Sequence, residues 1–228
     1  MPDPIRVEVA PWQEVTAIVY PATSDRAGIS LILAHGAGAN QASAFMVRFA
    51  SALAGRGIDT VTFNFLYSEM RKRVPDKNDR LEVCWRKMIE AHQVGVFGKS
   101  LAGNKLAIGG KSMGGRIASQ VAASPSVDVA GLVLLGYPLH PPGQPDKLRT
   151  RHLPAIRAPL LIAQGSRDAF GTPDELRPVL ERLSAPADLY VIEGGDHSFK
   201  VAKKAVPSQE QVYESVLDEI ARWLREKK

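Results

Sequence analysis

Cysteine is almost absent from this sequence. A single Cys84 in 228 residues excludes an internal disulfide framework and any multi-cysteine metal site. Long hydrophobic runs are missing as well. The longest, around VAGLVLLGYPL, holds two glycines and a proline and is too short to span a bilayer. The opening MPDPIRVEVA has no basic stretch followed by an apolar one, so no signal peptide is expected. Neither a repeat nor a low-complexity tract interrupts the chain. These absences predict a soluble, cytoplasmic protein with no membrane partner. Cys84 falls on the apolar face of a predicted helix and reads as core.

Acidic residues are outnumbered. The formal net charge is +5, and Leu66 to Lys111 alone carries ten Lys/Arg against five Asp/Glu. Such an excess raises the question of nucleic acid. The segment lacks the interleaved aromatics of single-strand binders and the spacing of helix-turn-helix or zinc-finger modules. A solvated basic face is the expectation, with no nucleic-acid partner.

What is present centres on LAIGGKSMGGR, Leu106 to Arg116. Its GKS resembles the end of a phosphate-binding P-loop, but that loop needs a glycine five residues earlier, where Lys105 stands. Read instead as Gly-x-Ser-x-Gly from Gly110 to Gly114, the stretch has an apolar strand-type run before it and the helix-forming RIASQVAA after it. Strand, tight turn, helix is the context in which a strained turn lifts a nucleophilic serine, Ser112, above a sheet. Small neighbours are required because such a turn has no room for side chains. The plain alternative is an ordinary turn with a serine cap.

Along the chain, IRVEVA and EVTAIVYPA read as strands near an edge. Apolar strand-type runs then alternate with helical patterns, expected at about Ala42–Ala54, Asp79–Phe97, beyond Ser112, beyond Thr172 and at the C-terminus. Pro173 suits a first helical turn. The alternation predicts an α/β fold, a mostly parallel central sheet with helices on both faces, as one domain over residues 1–228. Such sheets bind ligands at the carboxyl ends of their strands. The segments there are HGAGAN, NFLYSEMRKR, the Ser112 turn, YPLHPPG, QGSRDAFGT and GGDHSF. Asp168 and His197 thereby join Ser112 on one edge, in the chain order Ser, Asp, His, at spacings of 56 and 29 residues.

With HGAG, GGKSMGGR, QGSRDAFGT and GGDHSF in place, the chain resembles the α/β hydrolases across nearly its full length. FNFLY and RKRVPD add a resemblance to the dienelactone-hydrolase-like branch that includes the testis-expressed hydrolase-like proteins. The resemblance implies Ser112 as nucleophile, Asp168 as acid and His197 as base. It also implies an oxyanion hole from the backbone N–H groups of Ala37 and Met113. The chain departs from well-studied esterases at Lys111, where the residue before the serine is often aromatic, His or aliphatic.

Rival assignments are weaker. HGAGAN lacks the third glycine of a dinucleotide fingerprint, Gln41 standing there, and the next strand ends at Asn64 without an acid for a ribose. His35 is expected to hydrogen-bond structurally, His92 to be core or boundary, and His152 to lie in a polar loop. Asp196 adjoins His197 too closely to serve it, and Asp174 falls inside a helix. Arg116 is expected in a structural ion pair, with substrate contact as the alternative. Phe65, Tyr67, Lys111, Tyr137, His140 and Phe170 are the expected substrate-lining residues. The Leu139–Arg157 loop, 19 residues long and proline-rich, predicts no lid domain. The function expected is hydrolysis of a small carboxylic ester, thioester or related acyl compound through an acyl-enzyme, with no metal or cofactor. An idle hydrolase fold used for binding, or a peptidase, are the alternatives. Arg71, Lys72, Arg73 and Lys111 would favour an anionic substrate if they face the pocket; a solvated loop is the other reading.

Overall fold

The computed structural model describes residues 3–227. Four strands of almost unbroken apolar sequence form the centre of the sheet: β3 (Ile29–Ala34), β5 (Lys105–Lys111), β6 (Gly131–Leu135) and β7 (Leu160–Gly165). Both faces of these strands are covered, which is why they are apolar throughout and not alternating. With β1 (Ile5–Ala10), β2 (Gln13–Tyr20), β4 (Asp59–Phe63) and β8 (Ala187–Ile192) they make one eight-stranded sheet in the order β1-β2-β4-β3-β5-β6-β7-β8. β1 and β2 pair antiparallel, as do β2 and β4; every other pairing is parallel.

One face of the sheet packs against α3 (Asn78–Gln93), α5 (Met113–Ala122) and α6 (Pro173–Leu180). There Leu81, Cys84, Trp85 and Met88 of α3 meet Ile117 and Val121 of α5. The other face packs against α1 (Ala44–Gly55) and α7 (Gln209–Glu226), with Phe49, Leu53, Val216, Leu217, Ile220 and Trp223 in its core. Each such side chain stabilises the fold by roughly 1.5–3 kcal/mol relative to exposure. α6 and α7 begin with full capping boxes, Thr172 with Glu175 and Ser208 with Gln211, so the polar start of each helix is satisfied locally.

Helix ends differ from expectation at two places. α1 starts at Ala44, two residues later than expected. α3 stops at Gln93 instead of Phe97, because Gly95 turns left-handed at φ 80° and the N–H groups of Gly95 and Val96 return to His92 and Ala91. Part of the expected basic loop is also helical, as the short α2 (Leu66–Glu69). Between β6 and β7 the described chain forms one short turn of helix, Leu153–Ala155.

After β3 the chain steps to β4 on one side, and β5 then enters on the other. The crevice at this reversal lies over the carboxyl ends of β3 and β5, where such sheets hold ligands.

Candidate active site

Ser112 is the one residue between β5 and α5, and its backbone is strained: φ 50°, ψ −115°. A non-glycine residue pays about 1–3 kcal/mol for such a conformation and keeps it only when the surroundings enforce it. Here they do. A side chain at Gly110 would lie 2.3 Å from the Ala34 carbonyl oxygen, and one at Gly114 would lie 2.4 Å from the same atom. The elbow therefore presses directly on the end of β3, and only glycine allows it.

The same contact brings the β3 exit loop to the serine. A Cβ at Gly36 would sit 3.5 Å from that of Ser112. Gly36 to Ala39 form a tight turn, Ala39 N–H to Gly36 O at 3.2 Å, with Gly38 at φ 72°. Ala37 in that turn and Met113, first residue of α5, both border the cavity above Ser112. A helix's first N–H groups have no intrahelical partner. His35 holds the loop from below. Fully buried, its Nδ1 donates to Gly36 O at 2.9 Å and its Nε2 accepts from Phe65 N–H at 3.2 Å. Burial pushes its pKa down to about 4, consistent with a neutral ring.

Asp168 and His197 arrive from the loops after β7 and β8. His197 Nε2 lies 2.8 Å from Ser112 Oγ, and His197 Nδ1 lies 2.7 Å from Asp168 Oδ2. Asp168 is buried and fixed: Oδ1 accepts from Phe170 N–H at 2.8 Å, and Oδ2 accepts from Gln164 Nε2 at 2.9 Å. Phe170 stacks on the imidazole, ring centres 4.2 Å apart. Asp196 is turned away, accepting the N–H groups of Ser198 and Lys200, and Asp174 is solvent-exposed in α6. Among the described residues, no cluster of three or more His, Cys, Asp or Glu side chains is arranged to hold a metal.

A cavity of about 770 Å³ opens over this group, with Ala37, Met46, Leu81, Met113, Pro138 and Phe170 among its apolar walls. Of the residues expected to line it, Lys111 and Phe170 do. Phe65, Tyr67, Tyr137 and His140 do not. Phe65 and Tyr67 are buried beneath His35, against which both rings pack edge-on. Tyr137 is drawn inward because its hydroxyl donates to Arg149 O at 2.6 Å and its N–H to Gln164 Oε1. His140 is tied to Pro141 O and Glu175. Arg71, Lys72 and Arg73 are exposed and outside the lining, which that segment reaches only at Pro75 and Asp76.

Lys111 enters the site in an unexpected way. Its ammonium donates to the backbone carbonyl of His197 and lies 5.7 Å from the Phe199 ring. Burial lowers its pKa to about 8, against the opposing pull of Asp168 and Asp196. Two more residues of the site were not anticipated. Gln164, buried at the end of β7, binds Asp168, Tyr137 and Gly171 at once; its signal was a lone amide in the apolar run LLIAQG. Arg149 borders the cavity from the β6–β7 loop, and nothing local in the sequence marks it. Arg116 also borders the cavity. Among the described residues it makes no ion pair, contrary to expectation, and its guanidinium meets the amide oxygens of Gln120 and Asn78, at 3.3 and 3.2 Å.

Residues 27–225 match the family model described as alpha/beta hydrolase domain. A dienelactone hydrolase from Anabaena variabilis superposes with a TM-score of 0.71 at 20% identity, covering 98% of this chain and 96% of that one. A lid-less α/β serine hydrolase from Xanthomonas campestris gives 0.74 at 18% identity, covering 97% and 94%. An α/β serine hydrolase homologue from Coxiella burnetii gives 0.70 at 18%, covering 99% and 97%. At these identities the likeness is one of fold.

Proposed function

The chain belongs to the alpha/beta hydrolase domain family, and from that premise we propose that it is a serine hydrolase of small carboxylic esters, thioesters or related acyl compounds. The observation that carries the reading is the continuous relay from Ser112 Oγ to His197 Nε2 and from His197 Nδ1 to Asp168, at 2.8 and 2.7 Å. A serine hydroxyl is a poor nucleophile until a base takes its proton. His197 is placed to do so as Oγ attacks the substrate carbonyl carbon. Asp168 holds the imidazole in the tautomer with Nε2 free and stabilises the imidazolium that forms. The oxygen that gains charge would lie against the N–H groups of Ala37 and Met113, at a helix start whose dipole favours an anion.

Collapse of the tetrahedral intermediate formed by this attack would expel the alcohol or thiol, which takes the proton from Nε2, and leave an acyl ester on Ser112. Water, deprotonated by His197, then releases the acid and restores the serine. The residues need no metal or cofactor for these steps. A cytoplasmic setting and a small-molecule substrate belong to the same reading.

Labelling with a fluorophosphonate probe and hydrolysis of short para-nitrophenyl esters test it. Ser112→Ala should abolish both while leaving the fold intact, and His197→Ala should cost nearly as much. Asp168→Asn should lower kcat by about 10⁴-fold, the size of loss seen when a triad histidine is held in the wrong tautomer. Undiminished labelling of Ser112→Ala would remove the nucleophile; no labelling of the wild type would favour an idle fold.

A further inference from the structure

Three arginines border the cavity, and they differ in one respect. Arg48 is matched by Glu210 and Glu214. Arg116 and Arg149 have no carboxylate within ion-pairing distance among the described residues. Arg116 rests on two neutral amides at 3.2 and 3.3 Å, and Arg149 on the Pro138 carbonyl at 3.3 Å. Glu82 pairs with Arg86, and Asp76, which also borders the cavity, pairs with Arg80 through Oδ1, each at 3.6 Å, while its buried Oδ2 has no hydrogen-bond partner. Both guanidiniums thus keep donors uncommitted in a partly enclosed space.

The two charges also act on each other and on their surroundings. Burial, and then the field of Arg149, lowers the pKa of Arg116. His152, beneath the same corner, is held down to about 4 by burial and by Arg116. Two like charges left facing one cavity cost stability in the empty protein, a cost that a bound anion removes. Arg116 lies one helical turn beyond Ser112, its N–H donating to Ser112 O at 3.0 Å, so the two Cα atoms are separated by about 6 Å along α5. Leu81, Met113 and Pro138 supply apolar wall in the same cavity.

We propose that Arg116 and Arg149 form an anion subsite, and that the substrates are esters or thioesters carrying a carboxylate a short apolar spacer away from the scissile carbonyl. Guanidinium is suited to this because its planar fork matches a carboxylate with two parallel hydrogen bonds. The subsite rests on the serine-hydrolase reading for its catalytic role, but not for its ability to bind an anion.

The test compares the para-nitrophenyl monoester of adipic acid with para-nitrophenyl hexanoate. Wild type should prefer the charged ester in kcat/KM by about tenfold or more, the size expected of charged hydrogen bonds. The preference should persist in part at physiological ionic strength, where the Debye length is about 8 Å. Arg116→Gln and Arg149→Gln should each collapse the ratio, Arg116→Lys should restore some of it, and Arg71→Gln should leave it unchanged. Arg149 sits on a loop, so its variant serves even if Arg116→Gln folds poorly. A second readout uses calorimetric binding of the adipic monoanilide to Ser112→Ala, expected to vanish when Arg149→Gln is added. Equal turnover of the two esters, or a preference insensitive to both arginines, overturns the subsite. Failure of wild type to cleave either ester counts against the hydrolase reading alone, and the anilide titration then decides the subsite by itself.

Discussion

Lys111 stands beside Ser112, the proposed nucleophile, and it faces inward. A buried ammonium is costly unless it is bonded. Its bond is to the backbone carbonyl of His197, so the cation ties the elbow to the loop that carries the proposed base. It is a positioning residue in the proposed mechanism, and its pKa, lowered from 10.5 to about 8, makes it measurable. The unfolded chain holds this proton up to pH 10.5, whereas the folded chain releases it near 8. Between those values the unfolded state binds more protons, so stability rises with pH. Relative to Lys111→Met, wild type should gain on the order of 3 kcal/mol from below pH 8 to above 10.5. Denaturant titrations at both ends of that window would show it; parallel pH profiles for the two proteins would contradict it. The variant should also lose about tenfold in kcat with a smaller change in KM, since proper orientation and not binding is what the tether supplies. At this scale a motif or chain order marks Ser112, Asp168 and His197 in the sequence, and the structure brings their side chains within hydrogen-bonding distance. Gln164 is marked only by a lone amide in an apolar run and Arg149 by nothing local, and the inward course of Lys111 depends on the fold of the Gly194–Phe199 loop.

The elements were legible for a simple reason. Strands buried on both faces must be apolar throughout, and ISLILA, LAIGG, GLVLL and LLIAQG are. Where an element ends is decided by single residues, which periodicity does not register: Gly95 stops α3 early because it adopts a left-handed turn. The elbow between β5 and α5 is the junction on which the site depends. Gly114 has the Ala34 carbonyl oxygen 2.4 Å from where its Cβ would be, and backbone cannot yield as a flexible side chain can. Gly114→Ala should therefore destabilise the protein by about 1–3 kcal/mol, as overpacking generally does, and should also push β3 and its exit loop away from Ser112. The expected outcome is a lowered melting temperature together with a large loss of probe labelling at temperatures where the variant is still folded. Gly55, at the end of α1 with nothing within 4 Å of its would-be Cβ, is the control, and Gly55→Ala should leave labelling unchanged and should not lower the melting temperature. Unaltered labelling and stability in Gly114→Ala would mean that the elbow has slack which its contacts do not suggest.

For the molecule as a whole, the sheet order and the placement of the cavity follow from alternating strands and helices, whereas the cavity's walls do not. Phe65, Tyr67 and Tyr137 stand at strand ends as a lining residue would, yet each turns into the core because a partner inside competes for it: His35 for the first two, Arg149 O for the third. Periodicity cannot register that competition. The β6–β7 connection is held by the same contacts. Tyr137 donates to its backbone, Arg149 N–H returns to Leu139 O at 2.8 Å, and Leu153 and Ile156 are buried in the core. A segment pinned at both ends and in its middle is not a flap that swings open on an oil surface. Enzymes of this fold that need an interface do so because a mobile cover must first find an apolar phase to rest on. Here the cavity is reached without such a movement. The rate on a short ester should accordingly follow a single hyperbola with substrate concentration, passing the solubility limit with no upward break. Vinyl butyrate followed by titration from clear solution into emulsion would check this. A sharp rise at the limit would mean that Leu139–Arg157 moves after all, and that its hydrogen bonds yield to an interface.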